Sequence, residues 1–346
     1  MIRAEAHGRV NLMGEHTDYN LGLVLPTLIP QRTAVALEPR ADDVVRIHAA
    51  GFGEISYRLG AEAPSREWSD YAKGCTATLR TSGVALRGFD ADVTSDIPVG
   101  AGVSSSAAFL VALLRAMRDA FALQFDDTTL ALLAQRAEVE FVGARVGIMD
   151  QLVASRGHLG EALLIDTADL SVERVELPLS IALVVIDSGV RHAHASGDYN
   201  ARRAECEEAA HALGVSSLRN VRDLDALERL PPLLARRVRH VVTENERVQE
   251  AATALSGGDV QRLGRLFDAS HASQRDDFDV SVPEVDALAE ALRHAGAYGA
   301  RLTGGGFGGS VVAVTKLGTE VDVSKAARRL YERQSGRKAS VVVPPH

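Results

Sequence analysis

The chain has 346 residues, enough for two domains, and 46% hydrophobic with 24% charged residues is ordinary globular composition rather than disordered or fibrous. Lysine and arginine number 38 against 46 acidic residues; the resulting −8 disfavours nucleic acid or an anionic membrane as a partner. Cys75 and Cys206, far apart, support neither a disulfide framework nor a cysteine zinc site; without a leader or an apolar run of roughly 18 residues, the expectation is a cytoplasmic protein that touches no membrane.

Residues 1–60 read as β-rich, with short apolar runs at 10–13, 23–28, 33–38 and 44–48 bounded by Gly, Pro, Asp and Asn. Between the first two runs stand Arg9, Asn11, Glu15, His16, Asp18, Tyr19 and Asn20. A surface turn could bend on Asn20 and Gly22, but it has no use for an arginine, two carboxylates, an imidazole and an amide together. Such a set suits a small ligand carrying many hydroxyls, because carboxylates accept from them while Arg, Asn and His donate. A helix is predicted over 68–80 and a strand over 88–94, followed by a loop through 97–106 and a strongly apolar helix over 107–121. Further helices are predicted at 128–143 and from 150 to 155, and buried strands at 163–166 and 181–186. Amphipathic helices follow at 199–213 and 238–255, and a further helix at 282–295. The glycine loop 304–309 then runs straight into a strand at 310–314. No repeat or linker marks a boundary; a single division near residue 170 is expected, giving domains 1–170 and 171–346. The strands-first order predicts α+β layers rather than strict βαβ alternation.

The loop from Pro98 to Ser106 carries Gly100, Gly102, Ser104, Ser105 and Ser106 ahead of a helix. Glycines admit an oxyanion close to the backbone, and serine hydroxyls and free helix N–H groups can donate to it. A lone Gly-x-Gly would be an ordinary turn with a serine N-cap, but three hydroxyls exceed what capping needs. The loop has no lysine, so it is not the common P-loop. Gly304 to Gly309 satisfies Gly-x-Gly-x-x-Gly, yet it precedes a strand instead of opening a helix, and a dinucleotide-binding reading fails on context. By residue type alone, Asp150 is a helix N-cap, Glu138 an exposed helix acid, Tyr199 a helix-start packing residue and Arg9 half of a surface ion pair. His192 and His194 are too isolated for a metal site and read as solvated loop histidines.

Taken together, Gly8-Arg-Val-Asn-Leu-Met-Gly-Glu-His-Thr-Asp-Tyr-Asn20, Pro98-Val-Gly-Ala-Gly-Val-Ser-Ser-Ser-Ala107, Gly147-Ile-Met-Asp-Gln151 and Arg301-Leu-Thr-Gly-Gly-Gly-Phe-Gly-Gly-Ser310 resemble, in order, the motifs of galactokinases in the GHMP small-molecule kinase superfamily. The segments Trp68–Gly74, Asp187–Cys206 and Ser270–Asp277 match family stretches too. The resemblance implies a two-domain α+β fold, the N-terminal half like domain 2 of ribosomal protein S5 and the C-terminal half a ferredoxin-like α/β sandwich. It implies MgATP-dependent phosphorylation of the anomeric hydroxyl of galactose by a monomer. Asp150 would face that hydroxyl with Arg9 as its partner, and Glu15, His16, Asp18, the Gly147 backbone and Tyr199 would bind the sugar. Gly100, Gly102 and Ser104 to Ser106 would hold ATP, and Ser106 with Glu138 would hold magnesium. The acid-His-acid cluster narrows the superfamily to sugar kinases. A kinase for N-acetylgalactosamine or arabinose, or a weakly active sugar-sensing paralogue, is the alternative. Departures from the family pattern are His7 for proline, Met13 for isoleucine, Val103 for leucine and Ser310 for cysteine, with trimmed loops near 59–66.

Overall fold

The structure, a computed structural model, describes residues 1–191 and 195–343; His192 and His194 therefore lie outside the described residues. Strands β1 (Ile2–Asn11), β2 (Leu23–Val24), β3 (Pro26–Pro39), β4 (Val44–Ala49) and β5 (Gly53–Arg58) precede helix α1 (Ser69–Thr81). Strand β6 (Phe89–Ser95) leads to α2 (Ser105–Ala120), α3 (Asp127–Arg136), a π-helical turn over Ala137–Val142, and α4 (Met149–Arg156). The remainder comprises β7 (Glu161–Asp166), β8 (Ser171–Glu176), β9 (Ile181–Asp187), α5 (Ala195–Leu213), α6 (Pro232–Ser256), α7 (Val260–Asp276), α8 (Pro283–His294), β10 (Gly299–Thr303), β11 (Ser310–Lys316), α9 (Glu320–Ser335) and β12 (Ser340–Val341). Among the described residues no helix is long and apolar enough to cross a membrane.

Contacts divide the chain into two compact units. The first holds Met1–Arg9, Leu28–Pro98 and Ser104–Leu159; the second holds Val10–Thr27, Val99–Val103 and Gly160–His346. The second unit takes up the chain continuously from Gly160 onward, and two short segments of the N-terminal half pack with it. Both segments carry candidate site residues.

In the first unit β3 runs antiparallel to β6, β6 parallel to β4, and β4 antiparallel to β5. Alternation along β4 turns Val45, Ile47 and Ala49 inward, where they meet Val35, Leu37, Phe89, Ala91 and Val93. Leu110, Val111, Leu113, Leu114 and Met117 of α2 and Ala72, Cys75 and Leu79 of α1 complete this core. Helix α3 begins where Asp126 accepts from the Thr129 N–H at 2.8 Å, an N-cap that occupies one otherwise orphaned donor. The helix expected through 143 changes to a π turn at Ala137 and stops at Gly143, whose φ is +83°. A π turn inserts an extra residue per turn and re-aims the side chains it carries. One of them is Glu138.

In the second unit β10, β11, β9 and β12 form an antiparallel sheet, with Leu302 opposite Val311 and Val311 opposite Ile186. Its apolar face meets Val285, Leu288 and Leu292 of α8 and Val323, Ala327 and Tyr331 of α9. Pro232 and Pro283 open α6 and α8, where the missing N–H and fixed φ carry no penalty. Helix α7 approaches β10 through Gly264 and Gly299: a Cβ on Gly299 would lie 2.0 Å from the Gly264 carbonyl oxygen, so neither position admits a side chain.

Candidate active site

In the first unit, β1 delivers Arg9 and the start of α4 delivers Asp150. Arg9 donates from Nε to Asp150 Oδ1 and from Nη2 to Oδ2, both at 2.7 Å. This is the planar fork that only arginine can make on a carboxylate. The Arg9 side chain is 6% exposed, whereas Asp150 keeps 27% of its own open, so the carboxylate is anchored at one side and accessible at the other. Ser104 adds a third bond, its hydroxyl donating to Asp150 Oδ2. Asp150 is thus more than the helix cap its residue type suggests, and Ile148 rather than Asp150 holds the cap position of α4.

Ser104 stands at the N-cap of α2 with φ +61° and ψ +47°, yet its side chain makes no bond to its own helix. The N–H groups of the first turn after Ser104 have no intrahelical acceptor, which leaves Ser105 and Ser106 at a positive helix end suited to an anion. The Ser106 hydroxyl faces Glu138 closely enough to favour its charged form. Glu138, 5% exposed, is buried rather than solvated, and it accepts from Gln151 Nε2 at 2.7 Å. Burial pushes its carboxyl up to about 7, with the negative charge of Asp150 adding to the rise and the Ser106 hydroxyl and the Gln151 bond opposing it. Glu140 instead reaches solvent and pairs with Arg136 at 2.9 Å. Gly147, half-buried, belongs to this unit as well.

In the second unit the opening segment meets the glycine loop. Glu15, 2% exposed, accepts from Asn11 Nδ2 at 2.7 Å and from the Gly304 N–H at 2.8 Å. Arg301, fully buried, lies 3.5 Å from Glu15 and 3.7 Å from Glu244, and donates to the Asn11 carbonyl at 2.8 Å. Glu244 in turn accepts from the Gly14 N–H, Ser270 Oγ and Arg247 Nε. Burial works against its charge, but Arg247, Arg301 and these donors prevail and hold its carboxyl down at about 2.

His16 has φ +61° and is 5% exposed. Its Nδ1 lies 2.9 Å from Tyr19 Oη and its Nε2 3.3 Å from the Gly305 carbonyl oxygen. Burial, reinforced by the neighbouring His240, pulls His16 down to about 3, so the ring is neutral at pH 7. A neutral ring with those neighbours donates from Nε2 to Gly305 and accepts at Nδ1 from Tyr19. Tyr199 of α5 lies beside it, ring centroids 5.1 Å apart, and also packs against Gly305. Asp18 is half-buried, accepting from the Tyr19 N–H at 2.9 Å.

Gly100 and Gly102, with φ +77° and +76°, belong to this unit. A Cβ on Gly304 would come within 3.1 Å of the Gly102 carbonyl oxygen, and Ser310 donates to the Ala101 carbonyl at 2.6 Å. The two glycine loops therefore touch through backbone. Ser310, which departs from the common cysteine, supplies one of the bonds that join them.

Sequence reasoning gave no role to Gln151, Arg301, His240 and Glu244, and named Asn11 only as one member of a polar set. Gln151 directly follows Asp150 and closes the Gly147–Gln151 motif, which was the available signal; its amide is fully buried. Arg301 stands at the head of the glycine motif. His240 and Glu244 carried none, because they read as charges on the solvated face of α6.

Three family models match the chain: a galactokinase galactose-binding signature over residues 2–39, a GHMP kinase N-terminal domain over 70–158, and a GHMP kinase C-terminal domain over 250–334. Among curated proteins, a galactokinase of Chloroflexus aggregans is 45% identical over 98% of this chain and 90% of its own length. A Roseiflexus galactokinase is 44% identical over 99% of this chain and 90% of its own. Among solved structures, Lactococcus lactis galactokinase in complex with galactose superposes with a TM-score of 0.94 at 32% identity, covering 98% of this chain and 92% of that one. Methanococcus jannaschii mevalonate kinase, at 17% identity and a TM-score of 0.70 over 98% of this chain and 96% of its own, shares the fold.

Proposed function

The chain belongs to the galactokinase family of GHMP kinases, and we propose that it transfers the γ-phosphoryl group of ATP to the C1 hydroxyl of galactose, giving galactose 1-phosphate and ADP. The observation that carries this reading is the Arg9 fork on a half-open Asp150. A carboxylate fixed in this way can orient the attacking hydroxyl and accept its proton while Arg9 offsets the charge that develops on the transferring group. The sugar hydroxyls are assigned to Glu15, His16, Asp18, the Gly147 backbone and Tyr199. Among its bonds Glu15 accepts from Asn11 Nδ2 and the Gly304 N–H, which ties the opening segment to the glycine loop beside the assigned sugar position. His16, neutral and with both ring nitrogens engaged by Tyr19 and Gly305, supplies shape rather than charge, and a sugar hydroxyl would meet it by replacing one of those bonds.

The phosphates are assigned to Gly100, Gly102, Ser105 and Ser106 together with the backbone of Ser104, whose hydroxyl is engaged by Asp150. Two hard oxygen donors, the Ser106 hydroxyl and the Glu138 carboxylate, suit magnesium, which takes few protein ligands and shares its shell with water and phosphate. Burial holds Glu138 where a nearby cation would restore its ionised form, which fits the same assignment. Bound there with the nucleotide, the ion would neutralise phosphate charge.

ADP release measured against galactose, N-acetylgalactosamine and arabinose tests the reading. Galactose-dependent ADP formation well above that with the other two is expected. Turnover confined to another sugar moves the specificity, and tight galactose binding without ADP would make the chain a sensor.

A further inference from the structure

Ser104 occupies a left-handed backbone position, φ +61° and ψ +47°, at which glycine would be unstrained. Its hydroxyl does not relieve the strain by capping α2. It donates to Asp150 Oδ2 instead. That oxygen also accepts from Arg9 Nη2, while among the described residues Oδ1 accepts from Arg9 Nε alone. The two oxygens of one carboxylate are therefore unequal: Oδ2 has both its in-plane lone pairs engaged, and Oδ1 has one to spare.

We propose that Ser104 is a positioning residue for Asp150, holding Oδ2 beside Arg9 so that Oδ1 is the oxygen that meets the sugar hydroxyl. This rests on the galactokinase reading and deepens it. In the step it serves, the C1 hydroxyl oxygen forms a bond to the γ-phosphorus and the bridging bond to the β-phosphate oxygen breaks. ADP leaves with that electron pair, and the hydroxyl proton passes to Oδ1. Held by the Arg9 fork alone, without the Ser104 bond on Oδ2, the carboxylate would sample a wider range about its terminal torsion, and the reactive geometry would be populated less often.

The position also separates the explanations. Ser104→Ala removes the hydroxyl and keeps a side chain in the strained backbone; Ser104→Gly removes the hydroxyl and the strain together. Positioning predicts that both variants lose about 10- to 100-fold in kcat by a similar factor, with KM for ATP and galactose held. Their thermal midpoints should differ, the glycine variant melting above the alanine variant. A merely structural serine would make kcat follow the midpoint, and a phosphate ligand would raise KM for ATP while sparing kcat; either result overturns the proposal. Galactose affinity measured by calorimetry on both variants should match the unsubstituted protein. Failure of the substrate reading shows separately, as the absence of galactose-dependent ADP from the unsubstituted protein. The variants are then compared on whichever sugar is turned over.

Discussion

Arg9 and Asp150 are 141 residues apart in sequence and meet through two 2.7 Å bonds from one guanidinium to one carboxylate. Asp150→Asn keeps the volume and removes the charge and the proton acceptor. Turnover should fall about 10²- to 10⁴-fold, the range of a lost acid–base group, while galactose affinity changes little. Arg9→Lys retains charge but cannot span both oxygens, so kcat should fall with a smaller factor. Coupled ADP release and sugar calorimetry read both. Near-normal turnover in the asparagine variant would remove Asp150 from the mechanism.

Glu138 tests the metal assignment apart from the chemistry. Glu138→Gln keeps the shape and a hydrogen-bonding carbonyl but loses the negative charge. The free magnesium needed for half-maximal activity should rise by about tenfold or more, with the sugar KM unchanged. A second readout is thermal protection by ATP, which should need magnesium in the unsubstituted protein and respond to it weakly in the variant. Equal magnesium dependence in both would exclude Glu138 as a ligand.

How much of this was legible depended on whether a residue's chemistry showed in its neighbours. Helices α1, α2, α5, α6 and α8 declare themselves through apolar spacing, and β4, β6, β7, β9 and β11 through short apolar runs. Helix α7 escaped because its inward face mixes Leu263 and Phe267 with Ser270, His271 and Gln274, so the apolar period is broken by buried polar groups. Helix α9 hides behind a narrow stripe of Val323, Ala327 and Tyr331 amid charge. Strands β5 and β8 are mostly exposed and carry no clean apolar alternation. At the site, motifs named Arg9 and Asp150 and left the bonds unspecified. That Ser104 turns away from its own helix depends on a positive φ, which a serine does not advertise.

The glycine loop gives a stability prediction with an internal control. Gly304 and Gly318 both have left-handed φ, +91° and +85°. Alanine at either should cost about 1–2 kcal/mol from backbone strain. Around Gly318 a Cβ meets nothing within 4 Å, whereas at Gly304 it comes within 3.1 Å of the Gly102 carbonyl oxygen, and the Gly304 N–H holds Glu15. Gly304→Ala should therefore lose more in urea melts and raise KM for both substrates; Gly318→Ala should leave both KM values alone. Equal losses and equal kinetics would mean that the contact between the loops carries no weight.

The buried histidines predict how stability depends on pH. Burial holds His16 at about 3 and His240 at about 4, against 6.5 for a free imidazole. His240 faces Glu244, Arg247 and Asp277, and His16 faces His240, Arg202 and Glu244. Between pH 6.5 and 4 the unfolded chain binds protons at both that the folded chain refuses, so stability falls as pH falls through this window. Each histidine contributes up to about 1.4 kcal/mol per pH unit once the unfolded form is fully protonated. Glu244, held at about 2 against 4.5, adds loss in the same direction below pH 4.5. Glu138, raised to about 7, acts oppositely: the folded chain keeps its proton between pH 7 and 4.5, so acidification there favours folding. Two protons against one leave a net loss on acidification across pH 6 to 5. Denaturant melts in metal-free buffer at steps of pH should show it. In His240→Gln the slope of stability against pH should drop by up to one proton, whatever the variant costs in absolute terms; an unchanged slope would show that His240 takes up its proton in the folded chain as readily as in the unfolded one.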